Sequence, residues 1–383
     1  MERKVAVVAA RNAIGLHPAK VDEKAAENIN DIKDAPSCGG EGITTTRRGI
    51  RSRTRSRSFQ IAVLENSTGL GRYSKTNDFG LNRTNPGEGT LPHTIRIGIS
   101  GWRYAGWRGK FYPKDLPQNR ELEFAARTFN SVEINGTFYS LQLPSSFQRW
   151  ERATPSGFLF AVKGPRFITH MKRLRNSMTA LANFFASGVL ALGEKLGPIL
   201  WQLPPNLPFD RPLLEEFLQL LPRDTSAAAR LAQRHDERLK ARAFLKIDVS
   251  FPLRYALEIR HPTFMVPEFF ELMGEHNFAF VFADTARKFP YSEDITADFV
   301  YLRLHGAEEL YVSGYDDRAL DWWAKRIRGW HHGQQPMDAK LMTTAKVDPC
   351  CRDVFVYFDN DAKVRAPFDA IRLGKLLQPL EGA

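Results

Sequence analysis

Cysteine is nearly absent. The 383 residues contain three, Cys38, Cys350 and Cys351. The count is odd, two are adjacent and no CxxC spacing occurs. That leaves no disulfide framework, zinc site or thioredoxin-like pair to read, and all three are expected to be structural or incidental. Long apolar runs are missing too. None approaches the roughly 18 residues that a membrane-spanning helix needs. The stretch from Val5 to Ala10 is too short for the core of a signal peptide. The expectation is a cytoplasmic protein with no membrane partner. No G-x-G-x-x-G opens a helix, which weakens a dinucleotide-binding reading, and no HExxH occurs.

What is present is ordinary globular composition, 43% hydrophobic and 25% charged. The net charge of +11 is unevenly spread. Residues 1–93 hold 15 Lys and Arg against 10 Asp and Glu, and the rest of the chain holds 39 against 33. RRGIRSRTRSR, residues 47–57, carries six arginines and no acid. Such a run cannot build a core and is expected to be disordered when free. It reads first as a solvated tail. The alternative is a nucleic-acid arm held by phosphate contacts, and a basic stretch around 230–242, expected to be helical, belongs to the same alternative. Residues 1–93 are therefore expected to form a basic, largely disordered leader.

From Thr94 the character changes. Strand patterns at 95–102, 131–138, 158–165, 197–204, 254–262, 278–285, 299–306 and 353–360 alternate with helical patterns. The helices are expected near 121–129, 145–153, 177–193, 211–221, 266–275, 318–330 and 367–377, with only a poor one after the sixth strand. Residues 223–250 read as an insertion. Eight βα units over 94–383 predict one closed (β/α)8 barrel, TIM-barrel-like. An open doubly wound sheet is the alternative.

The strands begin apolar and end polar, often with two polar residues spaced by two. Glu133 and Asn135 end the second, Lys163 the third and Gln202 the fourth. Glu258 and Arg260 end the fifth, Asp284 the sixth, Arg303 and His305 the seventh, and Tyr357 and Asp359 the eighth. A spacing of two puts each pair on one face. Parallel strands covered by helices should be apolar nearly throughout, so a ring of ionisable groups predicts a functional mouth at the C-terminal strand ends. The bland alternative is a buried ion-pair network that binds nothing. Aromatic loops at 100–113 and 135–144, with Trp102, Phe138 and Tyr139, suggest pocket walls or simple loop packing. YVSGY at 311–315 suggests a lid with a Gly hinge.

IGISGWRYAGWRGKFYP, SVEINGTFYSLQLP, FAVKGPRFITH, LGPILWQLPP, ALEIRHPTF, FVYLRLHG and VFVYFDN occur in this order. Together they resemble the YecE-like family, domain of unknown function 72, from about Ile95 to Leu377. The resemblance implies a TIM-barrel-like fold and supplies no reaction. It carries Glu133, Asn135, Lys163, Gln202, Glu258, Arg260, Asp284, Arg303, His305 and Tyr311 as pocket residues. Where the family usually shows two asparagines this chain has Asp359 and Asn360, which adds an acid.

The favoured reading is an enzyme acting on a small anionic ligand, phosphorylated compounds among the candidates. Glu133, Glu258, Asp284 and His305 are the catalytic candidates, with either glutamate as general base and His305 as general acid. Trp102, Asn135, Tyr139, Lys163, Gln202, Arg260, Arg303, Tyr311 and Asn360 are the ligand-binding candidates, the arginines as anion forks. Hydrolase, lyase and isomerase stay open. No cofactor is identified. A divalent metal on the acids and His305 is disfavoured, because neighbouring cations already compensate the carboxylates.

Overall fold

A computed structural model describes residues 94–239, 242–344 and 348–378. The expected leader, its arginine run at 47–57 and Cys38 lie outside these residues. Eight strands form a closed barrel in sequence order, every neighbouring pair parallel. They are β1 (Ile95–Ser100), β2 (Ser131–Ile134), β3 (Leu159–Lys163), β4 (Leu196–Gln202), β5 (Tyr255–Glu258), β6 (Phe278–Asp284), β7 (Phe299–Leu304) and β8 (Asp353–Phe358). Outside them lie α1 (Glu121–Thr128), the one-turn α2 (Gly136–Tyr139), α3 (Pro144–Arg152), α4 (Met178–Ala186), α5 (Arg211–Leu220), α6 (Thr225–Ala232), α7 (Pro267–Glu275), α8 (Asp317–His331) and α9 (Ala366–Leu377). Among the described residues no helix is long and apolar enough to cross a membrane.

Strand alternation builds two cores. One set of side chains packs against the helices. The other forms a smaller core inside the barrel, with Ala161, Leu200, Ala256, Val281, Tyr301 and Phe355 among its members. Gly98 lies on the inner face of β1, where an added Cβ would stand 2.0 Å from the Ser131 carbonyl oxygen. Only glycine lets β1 approach β2 that closely.

Asp210, Asp224 and Asp316 cap α5, α6 and α8 by accepting the backbone N–H three residues on. The long helix expected over 177–193 is broken. α4 stops at Ala186, and Gly188 takes φ +117, where its backbone passes so close to Pro144 that an added Cβ would meet its Cα at 2.5 Å. The helix expected through 230–242 ends at Ala232. Ala228, Ala229 and Ala232 are buried, and Asn183 of α4 ties down Asp236 by two 3.0 Å hydrogen bonds. No helix follows β6 before β7, as the weak pattern there suggested.

Candidate functional site

The inner faces of the strands other than β6 end in a polar layer. Ser100, Glu133, Lys163, Gln202, Glu258 and Arg303 are all buried. Asp359, one residue past β8, joins them by the same alternation. They meet because parallel strands in register bring their C-terminal ends to one level.

Arg303 is the hub and is 0% exposed. Its Nε and Nη2 donate to the two oxygens of Glu133 at 3.1 and 2.8 Å. Nη1 donates to Glu258 Oε2 at 2.8 Å and approaches His305 Nε2 at 3.4 Å. Nη2 also reaches Asp359 Oδ2 at 2.9 Å and Ser100 Oγ at 3.0 Å. Every guanidinium nitrogen is taken, so Arg303, expected as an anion fork, is here engaged within the protein. It holds the protein's own acids.

Those acids are equally committed. Glu133 also accepts from Ser100 Oγ and, at 2.6 Å, from the Tyr301 hydroxyl. Glu258 accepts from Gln202 Nε2 at 2.9 Å on each oxygen and from Arg260 Nε at 3.0 Å. Each carboxylate thus has about four acceptor positions filled, which is its capacity. Burial raises the Glu258 pKa, but Arg260, Arg303, His305 and Lys163 together hold it well below the ordinary range. His305 Nδ1 lies 3.1 Å from Asp359 Oδ2 while Nε2 faces Arg303, so both ring nitrogens look inward to the network. Glu133, Glu258 and His305, the acid–base candidates, thus lie together in one network around Arg303.

Asp359 resists protonation. Burial raises its pKa, yet Arg303 and the His305 contact outweigh that and bring it from 3.8 to about 2. Such a group adds stability above its unfolded pKa, and that stability is lost as pH falls through the folded value. Asp359→Asn is expected to lower stability at pH 7 by about 2 kcal/mol. It should also flatten the stability profile between pH 4 and 2. Urea unfolding of both proteins across that window checks it.

Lys163 differs from every group above. It is 8% exposed, and among the described residues no hydrogen bond or ion pair reaches its Nζ. The amine sits 4.2 Å from the centre of the Phe138 ring on α2. Burial, helped by the Arg303 charge, pushes its pKa down to about 8, against an upward pull from Glu258, Glu133 and Asp359. His170 also stands edge-on to Phe138, at 5.1 Å. Burial, then Arg260 and Lys163, bring His170 down to about 4, so it is neutral.

Arg260 completes this side. Its Nε serves Glu258, its Nη2 donates to the Tyr311 hydroxyl at 3.2 Å, and its Nη1 has no hydrogen bond among the described residues. Tyr311 takes φ +66 and stands edge-on to His305 at 5.3 Å. The segment it belongs to leaves β7 through Gly306, φ +122, where an added Cβ would meet the Glu309 carbonyl oxygen at 2.5 Å. Asn135 donates to Ser100 Oγ at 2.8 Å, and its own carbonyl oxygen is buried without a partner among the described residues.

Four candidates lie elsewhere. Asp284 shares the outer face of β6 with Phe280 and Phe282, and it accepts from the Tyr315 hydroxyl at 2.9 Å. It lines a separate cavity of about 300 Å³ with Tyr291, Trp322 and Trp323. Asn360 likewise points outward, donating to Asp369 and the Ser313 carbonyl. Trp102 packs edge-on against Trp150 of α3 at 5.4 Å, as a loop-packing residue. Tyr139 is 43% exposed beside Phe138. A larger surface hollow, about 610 Å³ between α1 and α3, holds none of the strand-end groups, so chemistry rather than size locates the site. Among the described residues no group of three or more His, Cys, Asp or Glu side chains is placed to hold a metal ion.

Ser100, Tyr301 and His170 were not singled out by the sequence reading. Tyr301 was within reach, being two before Arg303 on the inner face. Ser100 ends β1 and looks like any strand residue, and His170 lies in a π-helical turn, Phe167–Met171, that no periodicity marks.

The fold and site define a closed parallel (β/α)8 barrel with a charged network at its C-terminal mouth. The chain belongs to the family described as "Protein of unknown function DUF72", whose pattern matches residues 96–382. It is 33% identical to the UPF0759 protein YecE of Escherichia coli K12 over 129 residues, 33% of this chain and 44% of that protein. It is 28% identical to the UPF0759 protein YunF of Bacillus subtilis over 116 residues, 29% of this chain and 40% of that protein. The matched stretch thus spans less than half the length of either relative. Crystal structures of a DUF72 family protein from Thermotoga maritima (TM-score 0.56, 24% identity) and one from Enterococcus faecalis (0.53, 17%) each cover 74% of this chain. They cover 99% and 95% of their own lengths, and they support the fold.

Proposed function

We propose that the barrel mouth is the active site of an enzyme for a small anionic ligand, with Lys163 as the proton-accepting amine. The observation that carries this reading is the contrast in commitment. Glu133, Glu258, Arg303 and Asp359 hold one another by direct ion pairs, while among the described residues the Lys163 amine has only the Phe138 ring and the longer-range pull of Glu258, Glu133 and Asp359. A buried cation is normally paired because desolvation is costly. A buried amine left unpaired at a strand end is suited to reaction, since burial tunes it toward neutral pH. Arg260, through Nη1, and the Tyr311 hydroxyl supply the anion's anchor beside it.

The test is a thermal-shift screen of the full chain against phosphorylated and carboxylate small molecules. A ligand at a hundred times its Kd adds about 2.7 kcal/mol, a rise of several degrees. Arg260→Ala is expected to abolish the shift. Turnover of the hit should rise with pH and level off above about 8, as Lys163 loses its proton. Stabilisation by no anion, with salt-sensitive binding of an oligonucleotide instead, would sink the reading. It would favour a nucleic-acid function through residues 47–57.

A further inference from the structure

We propose that Lys163 is an imine-forming nucleophile, and that the ligand is a small anionic carbonyl compound, an oxo acid or a phosphorylated aldehyde or ketone. The inference rests on the reading above and specifies its substrate class. Three features of the mouth favour covalent chemistry over a simple charge contact. First, a lysine that serves as a fixed cation would be expected to face a carboxylate. Three carboxylates stand in this layer; the acceptor positions of Glu133 and Glu258 are filled by Arg303, Arg260, Gln202, Ser100 and Tyr301, and Oδ2 of Asp359 is held by Arg303. Second, the Nζ lies over the Phe138 ring, an apolar face against which a neutral amine and a planar carbonyl can both pack. Third, Arg260 offers an unused guanidinium nitrogen on the same side, which would orient an anionic substituent while the carbonyl carbon meets the amine.

The step balances without an added oxidant or reductant. The Nζ lone pair attacks the carbonyl carbon, an N–C bond forms, and the π electrons move to oxygen. One proton passes from nitrogen to that oxygen, giving a carbinolamine. Uptake of a second proton lets the oxygen leave as water, and the nitrogen lone pair closes the C=N bond of a protonated imine. The Tyr311 hydroxyl and the His170 ring are the proton carriers at hand. The positive imine is then compensated by the surplus negative charge of Glu133, Glu258 and Asp359 over Arg303 and Arg260.

The experiment traps the imine. The full chain is incubated at pH 7.5 with glyoxylate, with glycolaldehyde phosphate or with neutral glycolaldehyde, then reduced with cyanoborohydride and mapped by peptide mass spectrometry. The expected result is one adduct, on Lys163, at anionic probe concentrations that leave other lysines unmodified. The neutral probe should label Lys163 about tenfold less, the equivalent of ~1.4 kcal/mol of anion binding. Arg260→Ala should erase that preference while leaving Lys163 reactive at high probe concentration. Labelling spread over surface lysines with Lys163 unmodified overturns the imine, even where the anionic probes raise the melting temperature and so uphold the broader reading. Equal labelling of Lys163 by all three probes keeps the nucleophile and overturns the anionic substrate class.

Discussion

Arg303→Met is expected to unfold the protein at 37 °C, or to leave it with a fraction of its stability. The side chain is fully buried and joins Glu133, Glu258 and Asp359. Methionine fills similar space without charge, so two buried carboxylates and the partly buried Asp359 would lose their shared counter-ion. Breaking one buried pair by removing a partner costs about 3–5 kcal/mol. A domain's entire stability is about 5–15 kcal/mol. Arg303→Lys keeps the charge but not the fork that holds both Glu133 oxygens, and an intermediate loss is expected. Urea unfolding followed by circular dichroism reads both. A methionine variant melting within a few degrees of the parent would show that the network is not the keystone described here.

Lys163→Met is expected to do the opposite for stability and to abolish activity. The folded pKa of Lys163, about 8, lies below its ordinary 10.5. Between those values the unfolded chain holds more protons, so stability rises with pH across that window. Below it, the folded protein bears the cost of a charged amine in a buried place. A neutral methionine removes that cost, worth as much as ~3 kcal/mol. The melting temperature at pH 7 should therefore rise by several degrees, and the parent's gain in stability from pH 8 to 10.5 should disappear. Turnover of any ligand found in the screen should fall by at least ~10²-fold, the usual worth of a positioned base. A residue that costs stability and confers reactivity is the common trade at an active site. A destabilised but active variant would reverse the assignment and make Lys163 one more member of the network.

Much of this was legible in the chain. Strand alternation put Glu133, Lys163, Gln202, Glu258, Arg303 and Asp359 on inner faces, because side chains repeat every two residues whatever their chemistry. The same rule shows why Asp284 and Asn360 were misplaced. In FAFVFAD the small residues Ala279, Val281 and Ala283 fill the barrel, and Asp284 shares the outer face of the phenylalanines. Asn360 likewise follows Phe358. The polarity of a strand end was read without its parity. Saturation was the other blind spot. A sequence shows that an arginine and three acids converge, but not that all the arginine's nitrogens are used and one lysine is left over. That follows only from distances. The break after Ala186 escaped for a similar reason, since a glycine inside an apolar helical pattern is tolerated unless a neighbour such as Pro144 crowds it.

The most direct test of the account is the ionisation of Lys163 itself. The full chain would be labelled with 13C at the lysine ε carbons and titrated by NMR, with the Lys163 signal assigned by its loss in Lys163→Met. A midpoint near pH 8, well apart from the surface lysines, is expected. A midpoint at 10 or above would make Lys163 an ordinary paired cation, and the mouth of the barrel a structural network without a reacting group.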